Sequence, residues 1–488
     1  MATAVKKIKR RPKSYFIHAI IGIAVMFCFG LIPAAEPLTP LGMSVIGIFL
    51  GSTYLLAFCE VTWPSILCLI ALALFGYKPI GQIIAGSMGH TVVYQSIMAY
   101  IVTGCLQHYG VAEFIARWIL SRPKFCGRPK LFMFVFFMVF NVIAMFVSSL
   151  AIVILGWAIL YSMLDLMGYK KHEAFSNMAV VGVVLAFEAG GAIVPFKGWQ
   201  LGLANQFSEV VGMPINYVTF MVVGFIISTL TLLVYLLVVS KVFKVDFSRL
   251  ATFDVTALDN ADKKMDTRQK IVLWINGAVM FFILLASLLP SGTGLYKFFN
   301  STLTVAGIFS LGAILMSIIS LKDGEPLIDF HAVASTSVRW DVLFRIGSAM
   351  VLAAAFVAPE TGIMDWCGIV FAPIFSGKSS YVFLLIIILI TGVFTNVCNN
   401  IALGAMLIPV VAPFIQASGA NPMLVGITLI YVVNMAMILP SGAAPTALMH
   451  ANSDWLIPSD AYKYATWAEI ISLGCAIPII MIANAIMS

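Results

Sequence analysis

Residues 381–416 read YVFLLIIILITGVFTNVCNNIALGAMLIPVVAPFIQ, and this stretch decides the fold class. It lies in a run of 75 residues, from Ser379 to Ser453, that contains no Asp, Glu, Lys or Arg. One membrane crossing takes about 20 apolar residues, so the run is long enough for more than three crossings or half-crossings. Two polar pairs, Thr395-Asn396 and Asn399-Asn400, interrupt it. Irregular backbone at membrane depth must be buried in protein or line a wet cavity, and the run therefore predicts a re-entrant helical hairpin followed by a further span.

The whole chain shares this apolar character. Of its 488 residues, 61% are hydrophobic and 10% are charged, against roughly 25% charged residues in soluble domains. A mean hydropathy of +1.03 means more apolar surface than one water-facing fold can bury. We therefore predict an all-α polytopic membrane protein with about eleven transmembrane helices and two re-entrant hairpins. The net charge of +7 lies in tails and loops, which indicates membrane topology rather than nucleic-acid binding.

Basic residues set the expected orientation. The N-terminal tail, residues 1–13, holds a cluster of Lys and Arg directly before the first uncharged run. Because positive residues favour the cytoplasmic side, we predict a cytoplasmic N-terminus and a retained first helix rather than a cleaved signal peptide. Eleven crossings then place the C-terminus outside, in a multi-pass protein of the cytoplasmic (inner) membrane.

The chain divides into two halves with the same order of elements. In the first half, a run of 34 uncharged residues, 131–164, has basic residues on both sides and Ser148-Ser149 at its middle, so it too must enter and return. An odd number of crossings between the two hairpins makes the repeat inverted, and interrupted helices at corresponding positions point to a transporter's midplane site. The predicted segments are a first half over 14–243 with hairpin 129–167 and broken helix 174–208, a cytoplasmic linker over 244–268, and a second half over 269–488 with hairpin 379–417 and broken helix 422–452.

This order of elements resembles the divalent anion/sodium symporter family, which carries dicarboxylates, tricarboxylates or sulfate. The resemblance covers most of the chain, including the stretch Gly110 to Ser149 and the span opening Trp340-Asp341-Val342-Leu343-Phe344. The family has Ser-Asn-Thr at each hairpin tip, where this chain reads Ser148-Ser149-Leu150 and Asn399-Asn400-Ile401. Its Gly-Thr-Pro-Pro-Asn-like break is similar to Gly442-Ala443-Ala444-Pro445-Thr446. The resemblance implies a homodimer in which a scaffold portion stays fixed while a transport portion moves the site by an elevator motion.

Hairpin tips and helix breaks supply the predicted site, since N–H groups at half-helix N-termini bind anions and carbonyl ends bind cations. For the substrate, the resemblance and the polar or small side chains together indicate Ser148, Ser149, Leu150, Lys197, Gly198, Asn399, Asn400, Ile401, Ala443, Ala444 and Thr446. For Na⁺, the coupling ion that the resemblance implies, they indicate Ser148, Ser149, Thr395, Asn399, Asn400 and Gly442. Helix packing through small residues is the alternative for Gly190, Gly191 and the alanines. No other cofactor is expected.

Two ionisable residues flank the first break, and such residues at membrane depth usually mark pathways or proton relays. One hypothesis places the Lys197 ammonium where a sodium ion would otherwise bind, with Glu188 as its counter-ion or as a proton carrier. The alternative is a structural ion pair or a lysine that extends to the interface. Arg345 is a further candidate for substrate charge, but the i,i+4 spacing favours an ion pair with Asp341.

These features predict a secondary active transporter for a small organic anion, a di- or tricarboxylate, coupled to a cation or operating by anion exchange. A carrier for an inorganic anion such as sulfate and an anion channel are the alternatives. An intramembrane enzyme is not supported, because the sequence has no Gly-x-Ser-x-Gly and no His-Glu-x-x-His motif. The expected partners are the anionic substrate, the lipid bilayer and a second copy of the chain, and not nucleic acid.

Overall fold

The computed structural model describes residues 11–147, 150–196, 198–253, 264–290, 292–397, 400–440 and 442–487. In these ranges the regular elements are helical, apart from a single β-bridge between Ser320 and Pro326. The first half contains α1 Lys13–Cys28, α2 Pro40–Phe58, α3 Thr62–Leu74, α4 Ile80–Ser87, α5 Thr91–His108, α6 Val111–Leu120, α7 Pro129–Phe146, α8 Ala151–Met167, α9 Ala174–Gly191, α10 Gly198–Val211, α11 Tyr217–Val242 and α12 Ser248–Ala251.

The second half is also built from helices. It contains α13 Thr267–Leu288, α14 Gly294–Lys297, α15 Thr304–Ile318, α16 Phe330–Ser337, α17 Trp340–Val357, α18 Ile363–Val370, α19 Ala372–Phe375, α20 Ser380–Thr395, α21 Asn400–Ser418, α22 Pro422–Val432, α23 Ala444–His450 and α24 Pro458–Met487. Short 3₁₀ turns lie at Phe29–Leu31, Pro123–Phe125 and Pro359–Thr361, and a π-helical segment at Phe298–Leu303 precedes α15.

Nine helical segments of the described chain are long and apolar enough to cross a membrane. This confirms a polytopic membrane fold. The number of candidate spans is nine and not the predicted eleven, because some predicted crossings are too short or too polar to meet the length and hydropathy that a crossing needs. Helices α3 and α22 have only 13 and 11 residues, short of the roughly 20 that one straight crossing needs. Helix α5 has 18 residues but buries Gln95, Ser96 and Thr103, which lower its hydropathy. Conversely α7, which the sequence assigned to a hairpin arm, is itself among the nine.

Side-chain caps explain where several helices begin. The Thr39 hydroxyl accepts a hydrogen bond from the Gly42 N–H at 3.1 Å, with a proline at the first position of α2. Asp266 and Gln269 form a reciprocal capping box at the start of α13. Each such cap contributes about 1 kcal/mol by satisfying N–H groups that have no partner within the helix.

Interruptions occur in the long apolar runs at four places. Helix α7 ends at Phe146 and α8 begins at Ala151, while α20 ends at Thr395 and α21 begins at Asn400. Similarly α9 ends at Gly191 before α10, and α22 ends at Val432, well before α23. Helices therefore begin and end at corresponding places of the two halves, although the re-entrant course of the two helix pairs in a bilayer stays a prediction.

The helices pack as two groups. In the first, α9 contacts α7, α8, α11, α23 and α24, and α24 in turn contacts α20 and α22. In the second, α17 contacts α2, α3, α4 and α5, and α5 contacts α13, α15 and α16. Helices α10 and α21 touch members of both groups. Helices α10 and α21 therefore lie between the two groups.

The first group is packed tightly enough that one glycine is obligatory. A Cβ atom at Gly190 would overlap the backbone carbonyl of Asn141 on α7, whereas nothing lies within 4 Å of the corresponding position at Gly191. The Asn141 amide also ties the helices together, donating to the Ala186 carbonyl at 3.1 Å and to the Ser228 hydroxyl at 2.6 Å. For Gly190, close helix packing is therefore the role that the contacts support.

We predict that Gly190→Ala lowers stability by about 1–3 kcal/mol, because backbone on the facing helix cannot move aside as a flexible side chain would. The matched control is Gly191→Ala in the same helix, which is expected to retain the thermal unfolding midpoint of the parent protein. Both midpoints are measured on purified protein in detergent. Equal midpoints for the two variants would contradict this packing.

Candidate substrate-binding site

A central cavity of about 300 Å³ lies where the interrupted helices meet. Leu150 directly precedes α8, Gly198 begins α10 and Asn400 begins α21, and all three residues line the cavity. These helices have 17, 14 and 19 residues. The N-terminus of a helix carries a partial positive charge and N–H groups without helical partners, so three converging N-termini favour an anion in the cavity.

Helix α17 adds charged side chains to the same cavity. Arg339, Asp341 and Arg345 all line it. Arg339 donates to the two carboxylate oxygens of Asp341 at 3.1 and 2.8 Å. These hydrogen bonds raise the pKa of the Arg339 guanidinium, which therefore stays charged.

The predicted Asp341–Arg345 ion pair is wrong. Asp341 pairs with Arg339, which is two residues away and reaches the carboxylate with two nitrogen atoms, a stronger geometry than a single contact. Arg345 is instead buried, with 8% of its surface exposed, and lines the cavity. Arg345 therefore adds a buried cationic side chain to the wall of the cavity.

Two amides connect the two helix breaks directly. The Gln200 amide nitrogen donates to the Gly191 carbonyl at 3.2 Å and to the Asn434 side-chain oxygen at 3.1 Å. The Asn434 amide nitrogen donates to the Ile430 carbonyl at 2.7 Å. Both amides are buried and line the cavity, so this pair fixes one break relative to the other.

Side chains from several helices hold the backbone of the second break, in residues 433–438. The Thr395 hydroxyl donates to the Val433 carbonyl at 2.6 Å, and the Thr446 hydroxyl donates to the Ala436 carbonyl. The remaining contacts, to the N–H of Met437, the N–H of Ile438 and the Ile438 carbonyl, come from Glu469, Asn396 and His450. These bonds replace the helical partners that the break removes, as buried backbone groups require.

The structure brings most of the described predicted site residues to the cavity. The lining includes Leu150, Glu188, Gly198, Asn400, Ile401, Gly442, Ala443 and Ala444. Thr395 and Thr446 are fully buried and do not line it, because their hydroxyls bind the backbone of the second break. Ser148, Ser149, Lys197 and Asn399 lie outside the described residues. The predicted Lys197–Glu188 relation is therefore untested, and the ligand roles stay predictions.

Sequence reasoning missed several residues of this site. Glu469 is an ionisable residue within a span, so the rule that singled out Glu188 applies to it equally. Gln200 and Asn434 are polar residues next to interrupted apolar runs, which is a weaker signal. Arg339 could not be recognised as a cavity residue from the sequence, because it stands at the end of a loop that is rich in charged residues. Among the described residues no three His, Cys, Asp or Glu side chains cluster as metal ligands.

The fold is that of a polytopic membrane protein, with a cavity between two groups of helices where three helix N-termini meet. The chain belongs to the citrate transporter family, whose model matches residues 53–430. Membership confirms the resemblance to divalent anion/sodium symporters and the prediction that the protein is a transporter and not an enzyme.

Sequence similarity to two bacterial transporters covers most of the chain. It is 24% identical over 494 residues to the sodium-dependent dicarboxylate transporter SdcS of Staphylococcus saprophyticus, covering 95% of this chain and 91% of that protein. It is 25% identical over 435 residues to the protein of the same name from a Staphylococcus aureus strain, covering 84% and 80%.

Two solved structures share the fold at low sequence identity. Neisseria gonorrhoeae MtrF, described in a study of antimetabolite efflux pumps, matches with a TM-score of 0.56 and 13% identity, covering 96% of this chain and 95% of that one. The Alcanivorax borkumensis YdaH transporter matches with a TM-score of 0.56 and 12% identity, covering 96% and 97%. These similarities concern the fold alone.

Proposed function

We propose that the protein is a secondary active transporter that moves a di- or tricarboxylate across the membrane. The observation that carries the proposal is the convergence of three helix N-termini and a buried arginine on one cavity. Partial positive charges on backbone N–H groups bind carboxylate oxygens without requiring a fixed counter-ion, which suits release of the anion on the other side. The name of the Staphylococcus relatives, sodium-dependent dicarboxylate transporter, supports the same substrate class.

Sodium is the proposed coupling ion, with Thr395, Asn400 and Gly442 as ligands together with Ser148, Ser149 and Asn399. The Thr395 hydroxyl lies 3.0 Å from the Asn400 side-chain oxygen, which places two oxygen atoms close together beside the break. Carbonyls of unwound helix suit Na⁺ in transporters of this architecture. Anion exchange is the alternative form of coupling, in which the Lys197 ammonium replaces one sodium ion.

An elevator motion is the proposed mechanism, and a homodimer the proposed assembly. The first group of helices carries both breaks, and α17 of the second group lines the other side of the cavity. Movement of one group past the other would therefore carry the site from one side of the membrane to the other. We propose the cytoplasmic membrane as the location, with the N-terminus inside and the C-terminus outside.

Uptake into proteoliposomes tests the function. Radiolabelled succinate and citrate are supplied with or without an inward sodium gradient, and with or without unlabelled anion inside. We expect sodium-dependent accumulation of at least one of the two anions. Uptake that requires internal anion, and that Lys197→Ala weakens, would favour exchange instead. The absence of transport of either anion under every condition would contradict the proposed substrate class.

A further inference from the structure

Positive charge is concentrated in the turn between α6 and α7. Residues 122–130 read RPKFCGRPK, with four basic residues and no acidic residue, and are called the basic turn below. Lys124, Arg128 and Lys130 are exposed, and Arg122 is half-buried. The basic turn therefore brings a net charge of +4 to one surface of the protein.

Helix α6, which leads into the basic turn, is too short to cross a bilayer. Its 10 residues make about 15 Å of helix, half of the roughly 30 Å hydrocarbon core. Ala112, Ala116 and Leu120, spaced four residues apart, are buried, whereas Trp118 is 53% exposed. A short helix with one buried face and an exposed tryptophan beside basic residues is typical of the boundary between hydrocarbon and lipid head groups.

Packing and a backbone hydrogen bond hold the basic turn in one conformation. The guanidinium carbon of Arg122 lies 3.9 Å from the centroid of the Trp118 ring. Phe125 is buried and packs edge-on against Phe132 of α7, with ring centroids 6.4 Å apart. The Arg128 N–H donates to the Phe125 carbonyl at 3.2 Å. Because the turn is already ordered, binding of an anion there costs less conformational entropy.

The second half contains the same turn with less charge. Residues 123–127 read PKFCG, and residues 373–377, which lead into α20, read PIFSG. Both glycines have a φ of +69°, and both phenylalanines are buried and pack edge-on against the long helix that follows. In the second half, the places of Arg122, Lys124 and Lys130 are taken by Ala372, Ile374 and Ser380. The fold of the turn therefore does not require these three cations.

We propose that the basic turn binds the phosphate head groups of anionic phospholipids such as phosphatidylglycerol, while Trp118 contacts their acyl chains. Guanidinium and ammonium groups bind phosphate oxygens through charge-assisted hydrogen bonds, and basic clusters beside a membrane attract anionic lipids. Positive charge alone is enough to set the orientation of a chain in the membrane. The stacking of Arg122 on Trp118 and the packed turn go further, because orientation does not require ordered cations.

The position of α6 gives lipid binding a consequence for transport. Helix α6 contacts α5 of the second group and α7 of the first, so it connects the two groups. This consequence rests on the proposed transport function: a lipid that holds the connection at the membrane surface while one group moves is expected to raise the maximal rate. The KM is expected to stay unchanged, because the described residues that line the substrate cavity include none of the basic turn.

Quenching of tryptophan fluorescence tests the binding without requiring transport. The full-length protein is placed in phosphatidylcholine vesicles that contain a minor fraction of brominated phosphatidylglycerol or, in parallel, of brominated phosphatidylcholine. The Trp118 signal is the difference between each protein and the same protein carrying Trp118→Phe. We expect brominated phosphatidylglycerol to quench Trp118 at about one-tenth of the fraction that brominated phosphatidylcholine needs, and high salt to reduce this preference.

A double variant tests whether the basic turn is responsible. Arg122→Gln combined with Lys124→Gln is expected to remove most of the preference, and to fold, since the second half has uncharged residues at both places. The matched control combines Lys170→Gln with Lys171→Gln, which removes two exposed cations from the loop between α8 and α9 and is expected to behave as wild type. Folding of each variant is checked by its thermal unfolding midpoint, and the salt dependence of wild type needs no variant.

Uptake in the same vesicles tests the consequence for transport. Phosphatidylglycerol is expected to raise the maximal rate of succinate or citrate uptake by about threefold or more in wild type and in the control, and not in the double variant. A lipid preference that only the double variant loses supports the binding site even if neither anion is transported. Equal quenching by the two lipids in wild type, or an unchanged preference in the folded double variant, would overturn it. Equal quenching would instead favour the acidic segment 254–263, which lies outside the described residues, as the occupant of the basic turn.

Discussion

Replacing Arg345 by glutamine is expected to raise the KM for a dicarboxylate by about tenfold to a hundredfold. A hydrogen bond to a charged group is worth about 1.5–3 kcal/mol, and each 1.4 kcal/mol changes an affinity about tenfold. Arg345 is buried on the wall of the cavity, where low dielectric strengthens its attraction for an anion. The measurement is the initial rate of uptake against substrate concentration, for a dianion and for a monoanion of similar size.

The comparison of the two substrates distinguishes charge recognition from support of the fold. Loss of a cation in contact with substrate raises the KM more for the dianion than for the monoanion, and Arg345→Lys then restores part of the affinity. A purely structural role would lower the thermal unfolding midpoint and affect both substrates equally. Arg117→Gln is the control, because that arginine is 40% exposed and pairs with Glu113 at the surface. An unchanged KM for the dianion would contradict the assignment.

Sequence alone was sufficient for features that depend on local composition. Apolar runs predict the helices, and the polar residues that interrupt them, such as Asn396 and Asn400, predict where helices begin and end, because a break needs side chains that satisfy backbone groups. Glu188 was identifiable for a similar reason, since a carboxylate in an apolar run is rare enough to mark a site. Each of these signals lies within a few residues of the feature that it predicts.

Features that depend on distant contacts could not be predicted in this way. Arg345 and Arg339 both lie within four residues of Asp341, and spacing alone did not show that Arg339 takes both carboxylate oxygens. The resemblance assigned Thr446 to the substrate, yet its hydroxyl binds a backbone carbonyl in the break. The partner of Gln200 is 234 residues away. Only the packing of the two halves brings such groups together.

The contact between Gln200 and Asn434 leads to the second prediction with a large effect. Gln200→Met and Asn434→Leu keep side-chain size but remove one amide each, leaving a buried polar partner without its hydrogen bond. Each variant is expected to lose about 1–3 kcal/mol of stability. Transport is expected to fall about tenfold or more in each, because a small displacement at a binding centre has a large effect on rate.

A double-mutant cycle shows whether the two breaks act together. In the double variant neither amide remains without its partner, so the combined loss of stability is expected to be smaller than the sum by about 0.5–3 kcal/mol. The readouts are the thermal unfolding midpoint in detergent and uptake in proteoliposomes. Asn276→Leu is the control, since this asparagine is also buried in a span, and within the described ranges its hydrogen bond goes to the Val272 carbonyl of its own helix. Strictly additive losses would mean that each amide supports its own half, and that the cavity does not depend on the bond between the halves.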